Sequence, residues 1–171
     1  MKASSPELLK LMEEAVARCV AHVEVGGLPF MGVVVDGNRV ISTFGVNQVR
    51  ETHDPTAHAE IVAMRDAMSA QGRTDLAGTV LLATGEPCGL CYRFAIDHGI
   101  ETIYVAVDRD TVAEWGFDYR SSYSSLEVSD ESRAGLYHPL PVEHGNEPFI
   151  RHLQTPGLTE HKDLRSHNQL N

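Results

Sequence analysis

The 171 residues suit one domain with its own core, and no apolar run approaches the roughly 20 residues that a membrane span needs. Lys and Arg number 14 against 24 Asp and Glu, a formal charge of −10 that repels phosphate backbones and anionic bilayers. Nucleic acid and membrane are therefore not the expected partners. Three cysteines, two of them in one Cys-x-x-Cys, make no disulfide framework. With a start that reads as a helix cap and not as an export leader, they point to the reducing cytoplasm.

Ser5-Pro6-Glu7 is a helix start: a capping Ser, Pro at the first helical position and an acid in the first turn. Leu8, Leu9, Met12, Ala15, Val16, Cys19, Val20 and Val23 then recur at helical spacing on one face, until Gly26-Gly27. Cys19 on that face reads as a small core residue. Residues 30–35 are an apolar strand, Asp36-Gly37-Asn38 a hairpin turn, and residues 39–44 the returning strand. Residues 45–53 read as a polar loop. Asp54-Pro55-Thr56 opens a helix that runs to about Ala70, with Asp54 or Thr56 as its cap.

A third strand is expected at 79–83, a helix at 87–98 stopped by Gly99, and a fourth strand at 100–107. Residues 108–115 suggest a short helix, and 116–132, rich in Ser and Tyr, carry no clear signal. Residues 136–142 form a last strand weakened by Pro139 and Pro141. Alternating strands and helices indicate a layered α/β domain. We place it at residues 1–153, followed by a polar tail at 154–171 that packs on a partner subunit or is disordered.

The chemistry concentrates between Asp54 and Cys91. His58-Ala59-Glu60 and Pro87-Cys88-Gly89-Leu90-Cys91 supply one imidazole and two thiols, ligands that zinc prefers. Three protein ligands leave a fourth position for water, and Glu60 stands close enough to move its protons. Cys-x-x-Cys by itself has three readings. A redox pair leaves His58 and Glu60 unexplained. A structural zinc needs a fourth ligand, with His53 and His98 as candidates. A catalytic zinc uses every residue of the pattern. His-x-Glu with Pro-Cys-x-x-Cys is the signature of zinc deaminases.

The likeness extends beyond the metal motif. Gly26-Gly27-Leu28-Pro29-Phe30-Met31-Gly32, the run from Asn47 to Glu60, Glu86-Pro87-Cys88, Ala113-Glu114-Trp115-Gly116-Phe117-Asp118 and Pro148-Phe149 resemble segments of the cytidine deaminase superfamily, and within it the bacterial guanine deaminases. The resemblance implies a three-layer α/β/α fold, a mixed five-stranded sheet with helices on both faces. It implies Zn2+ on His58, Cys88 and Cys91, with Glu60 as proton shuttle. It also implies a base held by Asn47, Phe30 and the Ala59 backbone N–H. On periodicity alone Phe30 is a core residue and Asn47 a turn residue.

The expected reaction is hydrolytic deamination of a nucleobase, guanine first. Cytosine, cytidine or another nucleoside, and amino-triazines are the alternatives, and a zinc module without turnover is the alternative from another class. A homodimer with exchanged C-terminal segments is implied as well. One departure bears on the substrate. The guanine-type pattern places a second Asp after Gly-Phe-Asp, where this chain has Tyr119. Asp118, Glu127 or Glu131 would then have to supply the carboxylate. The segment Gly85-Glu86-Pro87-Cys88-Gly89-Leu90-Cys91 also differs from the pattern's Cys-Glu-Pro-Cys-Pro-Met-Cys, so the pocket wall has changed.

Overall fold

The computed structural model describes residues 5–155. Helix α1 (Pro6–Glu24) begins where the sequence places it: the Ser5 side chain accepts the Leu8 N–H, and Pro6 opens the first turn. Its Met12, Ala15, Val16, Cys19 and Val23 are buried, the face expected from their spacing. Strand β1 (Met31–Asp36) follows and turns through Gly37 into β2 (Arg39–Val40).

The returning strand is broken, not continuous over 39–44. After β2 the chain bulges away and rejoins β1 as β3 (Gly45–Val46), within the stretch read as loop. Ser42 fills the gap in the ladder, its hydroxyl accepting the Val34 N–H at 2.9 Å. A short helix α2 (Val49–Thr52) also lies in the expected loop.

Helix α3 (Ala59–Gln71) starts later than Asp54-Pro55-Thr56 suggests. Asp54 does not cap it. Its carboxylate accepts the N–H and hydroxyl of Thr56 and pairs with Arg65 at 2.7 Å, making a turn that delivers His58 as the N-cap. Then come β4 (Val80–Gly85), α4 (Gly89–Asp97, N-cap Cys88) and β5 (Thr102–Val107). Helix α5 (Arg109–Glu114) is capped by Asp108. The stretch without signal holds α6 (Ser121–Ser125) and the start of α7 (Asp130–Leu136). Strand β6 (Tyr137–Pro139) is shorter than expected and ends at its proline. Helix α8 (Glu147–Gln154) was not foreseen. The expected tail 154–171 lies almost wholly outside the described residues.

The sheet runs β2-β1-β4-β5-β6, with β3 also on β1. The expected five-stranded mixed sheet is thus present with its edge strand in two pieces, giving six. Strand β1 is antiparallel to β4, while β4, β5 and β6 run parallel. Alternation along β1 separates two layers. Val33 and Val35 meet Met12 of α1 together with Leu82, Tyr104 and Leu140. Val34 belongs to the other layer with Ile61 and Met64 of α3, Tyr92 of α4 and Tyr123 of α6. Helices therefore cover both faces, α1 on one and α3 to α7 on the other, while α8 packs on α1 and sends Phe149 into the second layer. Among the described residues no helix is long and apolar enough to cross a membrane.

Candidate active site

Two helix N-termini meet at the carboxyl end of β4, where open α/β sheets bind ligands. His58 is the N-cap of α3 and Cys88 the N-cap of α4, both with extended backbone. An N-cap residue lies outside the helical hydrogen-bond ladder, so its side chain can turn across the helix end. Glycine permits the close approach. A Cβ on Gly32 would stand 2.9 Å from the Glu60 Cα, and one on Gly45 would stand 2.3 Å from the Ala59 carbonyl oxygen.

His58 Nδ1 lies 3.4 Å from both Cys88 Sγ and Cys91 Sγ, and the two sulfurs are 3.7 Å apart. A tetrahedral zinc, with bonds of about 2.3 Å to sulfur and about 2.0 Å to nitrogen, sets such atoms roughly 3.5–3.8 Å apart. The three side chains therefore fit the ion, and all three are buried. Among the described residues the group has three members. His98 instead stacks on Phe94 at the far end of α4, and His53 is the exposed C-cap of α2. The four-ligand structural zinc is not what these residues build. The cysteines are free thiols, so they are not a formed redox bridge.

Glu60 sits in the first turn of α3, its Oε2 3.3 Å from Cys91 Sγ. Burial pushes its carboxyl up to about 6, helped by the Cys88 charge. Cys88 is held well below the usual thiol range by its hydrogen bond with Cys91, and His58 adds to the shift. The start of α4 favours a thiolate there too.

The other expected contacts divide. Phe30 packs edge-on against Phe117 at 5.2 Å and Phe149 at 5.5 Å, with Tyr119 6.3 Å away, beside Gly85. It is half-buried, packed against the core, and part of an aromatic wall next to the ligand loop. Ala59 is buried at the first position of α3, where its N–H precedes the helix's own bonding. Asn47 follows β3, and its side-chain oxygen accepts the Val49 N–H at 3.2 Å, a turn contact. Asp118 is not brought in: it is exposed and ion-paired with Arg120 at 2.7 Å. Glu127 and Glu131 are exposed as well. Tyr119 is buried, and its hydroxyl donates to the Glu86 carbonyl.

Sequence reasoning missed a group that grips the ligand loop. Tyr123 donates its hydroxyl to the Pro87 carbonyl, and the Ser122 hydroxyl accepts the Gly89 N–H at 2.8 Å. The fully buried Glu86 carboxylate receives Tyr92, the Arg109 N–H and the Arg133 guanidinium. Only the quoted Glu86-Pro87-Cys88 likeness hinted at any of them.

Comparison with known proteins settles the family. Residues 5–107 match the model of the cytidine and deoxycytidylate deaminase zinc-binding region. The chain belongs to this family. It is 30% identical over 139 residues to the guanine deaminase of Bacillus subtilis, covering 81% of this chain and 88% of that protein. A solved structure of a B. subtilis guanine deaminase superposes with a TM-score of 0.64 at 28% identity, covering 86% of this chain and 94% of that one. A tRNA-specific adenosine deaminase of Agrobacterium fabrum is 40% identical over 85 residues, half of this chain and 55% of that protein. The family supplies the chemistry that the geometry suits: zinc-dependent hydrolytic deamination.

Proposed function

We propose that this chain deaminates a free nucleobase, with guanine the first choice: guanine and water give xanthine and ammonia. The observation that carries the reading is Glu60, a buried acid 3.3 Å from Cys91 in the His58, Cys88 and Cys91 group. Those three residues would hold zinc, whose Lewis acidity makes a water acidic near neutral pH. Glu60 would serve as the proton carrier, accepting a proton from water and delivering protons to the ring nitrogen and the leaving amine. The base lies against the Phe30 wall, with the Asn47 side chain and the Ala59 N–H toward its polar edge. Likeness to guanine deaminase over four-fifths of the chain supports guanine. The charge of −10 weighs against transfer RNA.

One observation favours a second reading. The Tyr119 hydroxyl is engaged by Glu86, and Asp118 faces solvent. Asp118, Glu127 and Glu131 are all exposed, and a hydroxyl does not replace two carboxylate acceptors for guanine's N–H edge. Cytosine, cytidine or an amino-triazine would not need that carboxylate. Zinc-loaded protein offered guanine, cytosine, cytidine, adenosine and amino-triazines, scored for ammonia, decides. Xanthine and ammonia in equal amounts support the first reading, and product from another member moves the substrate. Stoichiometric zinc without ammonia from any of them would leave a zinc module.

A homodimer with exchanged C-terminal segments, in the cytoplasm, completes the proposal. Light scattering gives the oligomeric state directly.

A further inference from the structure

The metal group has two halves on separate parts of the chain. His58 and Glu60 ride on α3, seated on β1 and β3 through Gly32 and Gly45. Cys88 and Cys91 ride on the turn from β4 into α4. Their mutual spacing is only as exact as the fixing of that turn. Residues 119–133 supply much of that fixing through Tyr119, Ser122, Tyr123 and Arg133.

Glu86 is where these restraints converge. Its N–H donates to the Val107 carbonyl at 2.8 Å, and its own carbonyl accepts from Tyr119. One carboxylate oxygen accepts from Tyr92 at 3.1 Å and Arg133 Nε at 2.5 Å. The other accepts from the Arg109 N–H at 2.8 Å and the second Arg133 nitrogen at 3.0 Å. A guanidinium fork on a carboxylate fixes orientation as well as charge. Without Arg133 a fully buried carboxylate loses its counter-charge, two residues before the first sulfur ligand. The carboxylate is then free to swing toward water and to carry the turn with it.

We propose that Arg133 is a positioning residue for the metal site, acting through Glu86 to hold the Cys88 turn in register with His58. The inference rests on zinc binding by His58, Cys88 and Cys91, and not on the identity of the base. A fastening role for α7 alone would lower stability and leave the ion's surroundings unchanged. A positioning role alters affinity and coordination geometry in protein that is still folded.

The test uses the full chain with Arg133→Met, Arg133→Lys and, as control, Arg93→Met, whose partner Asp97 lies on the exposed side of α4. Zinc affinity is read by competition with a chromogenic chelator, coordination by the visible spectrum of the cobalt(II)-loaded protein, and folding by melting of the metal-free form. Arg133→Met should weaken zinc roughly 10- to 100-fold and alter the cobalt spectrum. Arg133→Lys should fall between, since it keeps the charge and loses the fork. Arg93→Met should match the parent. Folded Arg133→Met with parental zinc affinity and cobalt spectrum, and only a lower melting point, overturns the proposal. Should Arg133→Met not fold, Arg133→Lys, which keeps the charge and loses the fork, carries the test alone. A few-fold weakening with an altered cobalt spectrum supports the positioning role, and no change in either overturns it. Absence of turnover on every base would defeat the proposed function and leave these readouts intact.

Discussion

Gly45 lies directly against Ala59: a Cβ at Gly45 would stand 2.3 Å from the Ala59 carbonyl oxygen and 2.7 Å from the Ala63 nitrogen. Both obstacles are backbone, so no side chain can swing away. Gly45→Ala should cost about 3 kcal/mol, the top of the range for overpacking. Gly32→Ala, whose nearest obstacle is the Glu60 Cα at 2.9 Å, should cost about 1–2 kcal/mol. Both should weaken zinc, because the first turn of α3 carries His58 and Glu60. Gly37→Ala meets open space and pays only for its left-handed backbone, about 1 kcal/mol. Denaturant melts of the three variants check the order. Equal losses would show that close approach of α3 to the sheet carries no special cost.

Glu60→Gln keeps the side chain's shape and removes its ability to accept a proton. It should retain one zinc per chain and lose about 100- to 10,000-fold in turnover. Metal analysis and ammonia release on the same preparation separate the two effects. Normal turnover by the zinc-loaded variant would remove Glu60 from the chemistry.

The same carboxyl sets a pH dependence. Burial raises it from 4.5 to about 6 in the metal-free chain. A proton acceptor must be ionised, so kcat/KM should fall as pH drops through that range. A bound cation favours the carboxylate, which moves the limb below about 6 in the zinc form. The sign for stability is opposite. In the metal-free chain the ionised, buried Glu60 is a cost, present in full above about pH 6 and absent below 4.5. A pH–rate profile whose acid limb lies above pH 7 would assign that limb to another group.

The grouping of His58, Cys88 and Cys91 was legible because its signals are local. Two thiols three apart and an imidazole two before an acid keep their meaning wherever the chain goes. The first helix was legible for the same reason, through Ser5, Pro6 and a regular apolar face. Asp54-Pro55-Thr56 misled because Asp and Thr cap helices, whereas here Asp54 closes its own turn on Thr56. The restraints around Glu86 had no local sign. Tyr119 and Tyr123 bond main-chain carbonyls more than 30 residues earlier, and Arg133 meets a carboxylate 47 residues away. Helix α8 could have been found, since Pro148 stands in its first turn.

Thiol chemistry should distinguish the three cysteines. Cys19 is wholly buried between α1 and the sheet, beside the Thr84 hydroxyl at 3.9 Å, and burial pushes its thiol up to about 12. At neutral pH it holds almost no thiolate, the form that reacts. Cys88 is held below the usual thiol range, at the start of α4. With zinc bound, both ligand sulfurs should be protected from iodoacetamide, and folded protein should label slowly at every site. A chelator should release Cys88 first, and Cys19 should react only when the chain unfolds. Peptide mapping after a short pulse at pH 7.5 reads the order. If Cys19 is alkylated ahead of Cys88 in the folded, chelated protein, then α1 does not seal its thiol, and the layer formed with Met12 and Val23 is looser than the packing described above.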